Sequence, residues 1–188
     1  MMGHRHHRGE RGASAVEAAI VTPVVLAMIC GLLEFGMLFK DYLGTQAMIR
    51  AGVRLASAEP RTTTFAQDAA KQMRKTGTVI QPTDIEAIWV YKANPANNFP
   101  IGYANFSDCN VCVKFQWDTG TSTFVANYTN WTATQQNACT VAVGGPPDRI
   151  GVYARVKHDS ITGIIGPIKI TEASAMFLEP FPALSGCK

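Results

Sequence analysis

"RGERGASAVEAAIVTPVVLAMICGLLEFGMLF", residues 8–39, decides how the rest of the chain is organised. Residues 18–33 carry no charge, and apolar character continues past Glu34 to Phe39. Ala13 to Phe39 is 27 residues; at about 1.5 Å per residue a helix of that length reaches roughly 40 Å, enough for a hydrocarbon core of about 30 Å. Pro23 inside the run is tolerable in a membrane helix, where neighbours satisfy the freed carbonyl. A cleavable secretory signal would have a shorter apolar region with small residues after it. Here the small residues come first. The stretch predicts a membrane-spanning helix.

Arg5, Arg8 and Arg11 outnumber Glu10 on its N-terminal side. The positive-inside rule therefore places residues 1–12 in the cytoplasm and everything beyond about residue 40 outside the membrane. A length of 188 residues suits one span plus one modest domain. Hydrophobic residues make up 47% of the chain, yet mean hydropathy is only +0.04, because the apolar residues are concentrated near the start. The net charge of +3 is too small and scattered to suggest a nucleic-acid partner. His4, His6 and His7 are interrupted and have no second ligand cluster, so they read as a solvated basic tail. No metal and no cofactor is expected.

Cys30 falls in the span. That leaves an even number of outer cysteines, Cys109, Cys112, Cys139 and Cys187, in an oxidising compartment. "CNVC" lacks the βαβ context of a redox site and a second CxxC for zinc. A disulfide framework is the better reading, with all three pairings open; a Cys109–Cys112 bond needs a turn at Ser107 to Asn110.

Beyond the membrane, "DYLGTQAMIRAGVRLASAEP" continues the helix, ending before Pro60, with Leu43, Ala47, Ile49, Val53 and Ala56 near one side. Gly44 and Gly52 would permit a bend. "RTTTFAQDAAKQMRKTG" has a threonine cap, Phe65, Ala69 and Met73 on one face, and a glycine stop, so it predicts a second helix. From Thr83 the period changes. "DIEAIWVYKA", "VCVKFQW", "RIGVYARVKHD" and "IKITEASAMFLE" read as strands, with Ile150, Val152, Ala154 and Val156 on one side of the third. "DTGTSTFVANYTNWTATQQNAC" reads as a short helix or a long loop. The expectation is an α+β fold: a long N-terminal transmembrane helix, a second helix and an antiparallel sheet of about four strands. The corresponding units are 1–12, 13–59 and 60–188.

Glu17 is the anomaly. A carboxylate early in a spanning helix calls for a partner. If the chain were cut after Gly12, Ala13 would carry a new α-ammonium, and Glu17 would stand one turn on, about 6 Å along the axis and on the same face. The competing reading leaves the anchor uncut, with Glu17 at interfacial depth reaching water. Spacing alone does not separate the two.

A basic leader ending in Gly, then small residues, Val-Glu, an apolar run with Pro, and Gly-x-x-Glu-Phe-Gly resembles the opening of the TadE-like family of tight-adherence (Tad/Flp) pilus systems. The positions that carry the resemblance are Arg11, Gly12, Ala13, Val16, Glu17, Pro23, Gly31, Glu34, Phe35 and Gly36. "DRIGVYARVKHDSITGIIGPIKITEASAMFLEP" also resembles TadE-like tails. Residue 18 is Ala where Flp major pilins usually carry an aromatic, and the chain is much longer than they are. Both departures favour a minor pilin-like subunit. The resemblance implies cleavage between Gly12 and Ala13 by a prepilin peptidase, pairing of Glu17 with the new N-terminus, and partnership with other Tad/Flp pilus subunits and membrane lipid. It also implies a role in pilus assembly and surface adhesion without catalysis. The alternatives are an uncleaved, anchored ligand-binding module and, behind it, an anchored exported enzyme. His158-Asp159-Ser160 has the residue types of a triad, but three adjacent positions do not make the usual relay. Phe106, Phe115, Trp117, Phe124, Tyr128 and Trp131 read as packing rather than a sugar platform.

Overall fold

Helix α1 (Arg8–Ala58) is 51 residues long and carries the chain without interruption from the apolar run into the folded domain. The computed structural model describes residues 8–140, 144–163 and 166–180, and side chains from residue 12 onward. At about 1.5 Å per residue α1 is roughly 75 Å long, far more than a bilayer core requires. Its lower part is exposed on all sides: Ile20, Leu26, Met28 and Leu32 are each more than half accessible. Its upper part buries one face, formed by Gly44, Thr45, Met48, Ile49, Gly52, Val53, Ala56 and Ser57.

That face agrees with the expected one at Ile49, Val53 and Ala56, which are buried, and departs from it lower down. Leu43 and Ala47 are exposed, whereas Thr45 and Met48 are fully buried. Size decides more than polarity here. A side chain at Gly52 would strike Met73 and one at Gly44 would strike Val79, so both glycines mark close approach rather than a bend. Their partners lie on and just beyond α2 (Phe65–Thr76), which folds back along α1 and buries Phe65, Ala66, Ala69, Ala70 and Met73. Thr64 stands at the N-cap without a side-chain capping bond; its backbone carbonyl accepts the Asp68 N–H at 2.9 Å. Gly77 ends the helix.

Among the described residues five strands follow: β1 (Ile85–Ala93), β2 (Cys112–Asp118), β3 (Thr123–Thr129), β4 (Arg149–His158) and β5 (Ile168–Phe177). They form one antiparallel sheet in the order β3-β2-β1-β4-β5. The strand absent from the sequence reading is β3, inside the segment expected to be a short helix or long loop. It buries only Phe124, so it shows no apolar alternation. Its turn makes it a strand. Asp118 accepts the Gly120 N–H at 2.9 Å and the Thr121 hydroxyl at 2.8 Å, reversing the chain onto β2.

The alternation of β4 sorts the two faces of the sheet. Ile150, Val152, Ala154 and Val156 are fully buried beneath the helices, together with Ile88, Val90 and Phe115. On the opposite face Trp89, Tyr91 and Tyr153 are covered by the long β1–β2 connection, whose Phe106 ring stacks on Tyr153 at 4.7 Å. Tyr91 fills the space over Gly151, where any side chain would strike its ring, and its hydroxyl donates to Asn98 O at 2.8 Å. Cys109 and Cys112 close this layer as a disulfide with Cα atoms 6.1 Å apart, the bends between Ala104 and Asn110 supplying the reversal. Cys139 is disulfide-bonded as well, Cys30 is a free exposed thiol, and Cys187 lies outside the described residues.

Candidate functional site

The buried stripe of α1 does not stop at Gly44. Stepping down by alternating fours and threes from Gly52 gives Met48, Thr45, Asp41, Leu38 and Glu34, which are all buried or half-buried. The lowest members are acidic and meet the end of β4 and the β4–β5 connection. His158 continues the inward parity of Ile150 to Val156 and is 4% exposed; its Nδ1 lies 2.7 Å from Asp41 Oδ2. The other Asp41 oxygen lies 3.2 Å from Lys40 Nζ. Two turns below, the Ile161 N–H donates to Glu34 Oε2 at 3.1 Å, so a carboxylate in the apolar run is 6% exposed. Among the described residues, Glu34 Oε1 and His158 Nε2 have no hydrogen-bond partner.

A cavity of about 300 Å³ adjoins this junction, lined by Met37, Asp41, Asp84, His158, Asp159 and Ile161 among others. Burial, and then the charges of Asp159 and Asp41, push the Asp84 carboxyl above its ordinary value, against a smaller opposing pull from Lys157 and His158. The arrangement fastens the domain to its helix. It is not a hydrolytic relay: His158 turns to α1, Asp159 pairs with Lys157 at 2.8 Å, and the Ser160 hydroxyl accepts the Gly163 N–H at 3.0 Å. Among the described residues, no group of three or more His, Cys, Asp or Glu is placed to hold a metal ion.

The residues singled out from the sequence lie along α1. Gly12, Ala13, Val16 and Glu17 occupy its first turns and are exposed; the side chain of Arg11 lies outside the described residues. Glu17 makes no hydrogen bond or ion pair among the described residues, in contrast to Glu34. Pro23 sits within the helix without ending it. Phe35 is 67% exposed, and Gly31 and Gly36 have nothing within 4 Å of where a side chain would begin. The sequence reading named Glu34 without a role and missed the Asp41–His158 pair. Both were marked by spacing: Asp41 is seven residues from Glu34, and His158 keeps the period of two.

The aromatic residues are divided between layers. Phe115, Phe124 and Trp131 are core, Trp117 packs edge-on to Phe124 at 5.1 Å, and Tyr128 is 37% exposed, with its hydroxyl donating to Asn110 O. No curated protein and no solved structure matches the chain. Among the described residues one helix, α1, is long and apolar enough to cross a membrane. It is this helix that a known family recognises: over residues 12–54, from Gly12 to the close-packed face above Asp41, the chain matches the family model of TadE-like protein.

Proposed function

We propose that the chain is a minor pilin-like subunit of a Tad/Flp-type pilus, cleaved after Gly12 and acting through assembly and adhesion rather than catalysis. The observation that carries this reading is the TadE-like match, which begins at Gly12 itself. In the mature form Ala13 would open the helix, and Glu17, one turn on, would neutralise its ammonium or that of a neighbouring subunit. Residues 1–12 are then a cytoplasmic leader, 13–59 the span and its outer extension, and 60–188 an extracytoplasmic domain. The partners are a prepilin peptidase, the other pilus subunits and membrane lipid.

The test is the mass of the mature N-terminus in membrane fractions. A chain beginning at Ala13 supports the reading, and Gly12→Val should accumulate the precursor, because a branched side chain does not fit where a peptidase accepts glycine. Normal cleavage of Gly12→Val counts against the assignment. Glu17→Ala should insert normally yet be recovered poorly with the other pilus subunits; equal recovery removes the pairing.

The reading as an uncleaved binding module draws on a cleft of about 320 Å³ between α2 and the β2–β3 hairpin. Phe65, Phe115 and Trp131 line it, and the Trp131 indole N–H has no partner among the described residues. An intact leader on the mature protein would favour that reading.

A further inference from the structure

We propose that the base of the outer domain is a lipid-binding surface, and that the groove between α1 and the edge strand β5 takes an acyl chain of the outer leaflet. The groove encloses about 640 Å³ and is lined by Phe35, Leu38, Phe39 and Tyr42 from α1 and by residues 168–172 of β5. Phe35 and Phe39 are 67% and 60% exposed, more than an apolar wall in water should be.

Its place along α1 identifies the occupant. Between Glu17 and Lys40 the helix holds one charged residue, Glu34. That window of 22 residues is roughly 33 Å long, the thickness of a hydrocarbon core. The core therefore ends close to Lys40, with Phe35, Leu38 and Phe39 beneath its boundary and Tyr42 just above it. The groove is thus continuous with the lipid-facing surface of the span. Tyr42 and Lys169 on its rim stand at headgroup level, where aromatic and long basic side chains settle.

Glu34 gives an independent measure of depth. It lies six residues below Lys40, about 9 Å, and it is hidden because the Ile161 N–H reaches it. The backbone at Ile161 must therefore lie at that depth. The Ile161 side chain beside that bond is 66% exposed, an apolar group left open at the depth where lipid would be. The loop shields a carboxylate from hydrocarbon on one side and offers an isoleucine to it on the other. The inference rests on α1 crossing the membrane, one part of the reading above, and not on cleavage or pilus assembly.

The test uses the full chain in phosphatidylcholine nanodiscs, with a photoreactive diazirine residue placed singly at Val25, Phe39, Ile161 or Ser122. After irradiation, mass spectrometry reads the adducts. Phospholipid adducts are expected at Val25, Phe39 and Ile161 and none at Ser122, in the β2–β3 turn on the far edge of the sheet. Adducts at Val25 alone would show a domain held off the bilayer and overturn the inference, leaving the spanning helix intact. Protein–protein crosslinks at Phe39 and Ile161 in place of lipid adducts would assign the groove to a second copy and overturn it equally. No lipid adduct at Val25 would remove the span, and with it both readings.

Discussion

The lower and upper parts of α1 form one unbroken helix yet are specified by opposite rules. Between Gly12 and Leu33 the side chains are mostly apolar on every face, Glu17 standing out among them, and bury almost nothing within the chain; the stretch is long and apolar enough to cross a membrane, and no internal packing constrains the order or shape of its residues. Between Gly44 and Ser57 the contacts are with other parts of the protein, and a hydroxyl or a bare backbone serves better than leucine wherever α2 or the sheet comes close. The same residue type therefore has different worth in each part, and methionine exposes the contrast.

Met48 is fully buried and Met28 is 65% exposed. Met48→Ala should lower the stability of the folded domain by about 2–5 kcal/mol, the usual range for a large apolar side chain removed from a core. Met28→Ala should leave it unchanged. Denaturant unfolding of the full chain in detergent, followed by tryptophan fluorescence, measures both; equal losses would erase the distinction between the two parts of the helix.

The contrast also explains what could be read from the sequence. The long apolar helix, the second helix and four strands were legible because each repeats one period or one character over many residues, as Ile150, Val152, Ala154 and Val156 do. β3 was not, because an edge strand that buries only Phe124 has no pattern to repeat and depends on the Asp118 turn and on pairing with β2. On α1, Ile49, Val53 and Ala56 lie on the buried face as their spacing predicts, whereas Leu43 and Ala47 do not, because close packing there selects Gly44 and Thr45 over larger apolar side chains. At the junction, Glu34 and Asp41 meet residues more than a hundred positions away. Local sequence holds no record of such distant partners.

The boundary between the two parts should itself be sensitive. Asp41→Ala removes the partner of His158 Nδ1, leaving a buried imidazole whose other nitrogen already has none among the described residues. A loss of about 1–3 kcal/mol is expected, and His158→Leu in the same background should recover part of it, since removing both polar partners costs less than removing one. The same unfolding measurement checks this; no recovery in the double variant would show that His158 has a further role in the fold.

The smallest effect is one of sign. The Asp84 carboxyl is held above its ordinary value, so its favourable contribution is complete while it is protonated, below the unfolded-state pKa, and is lost as pH rises through the folded-state value. Near neutrality its charge opposes those of Asp159 and Asp41. Asp84→Asn should therefore raise stability at about pH 7 by no more than roughly 0.5 kcal/mol, because the side chain is partly exposed. The gain should vanish near pH 3, where the carboxyl is protonated in both states. Unfolding midpoints at the two pH values test it, and a destabilised variant at pH 7 would show that the aspartate serves as a hydrogen-bond acceptor instead.

The distances in sequence set an order in time. Ile161 is 127 residues beyond the Glu34 it covers. Among the described residues β5 is the last strand to be synthesised, and the residues just after it tie back onto earlier elements: the Leu178 N–H donates to Asp148 O, and the Glu179 N–H to Ser57 O at the top of α1, both at 2.9 Å. At synthesis rates of about 5–20 residues per second, the Glu34 carboxylate waits roughly 6–25 s for its cover. Throughout that interval the newborn helix carries an uncovered carboxyl group at the edge of its apolar run, open to whatever chaperone reaches it before Ile161 does.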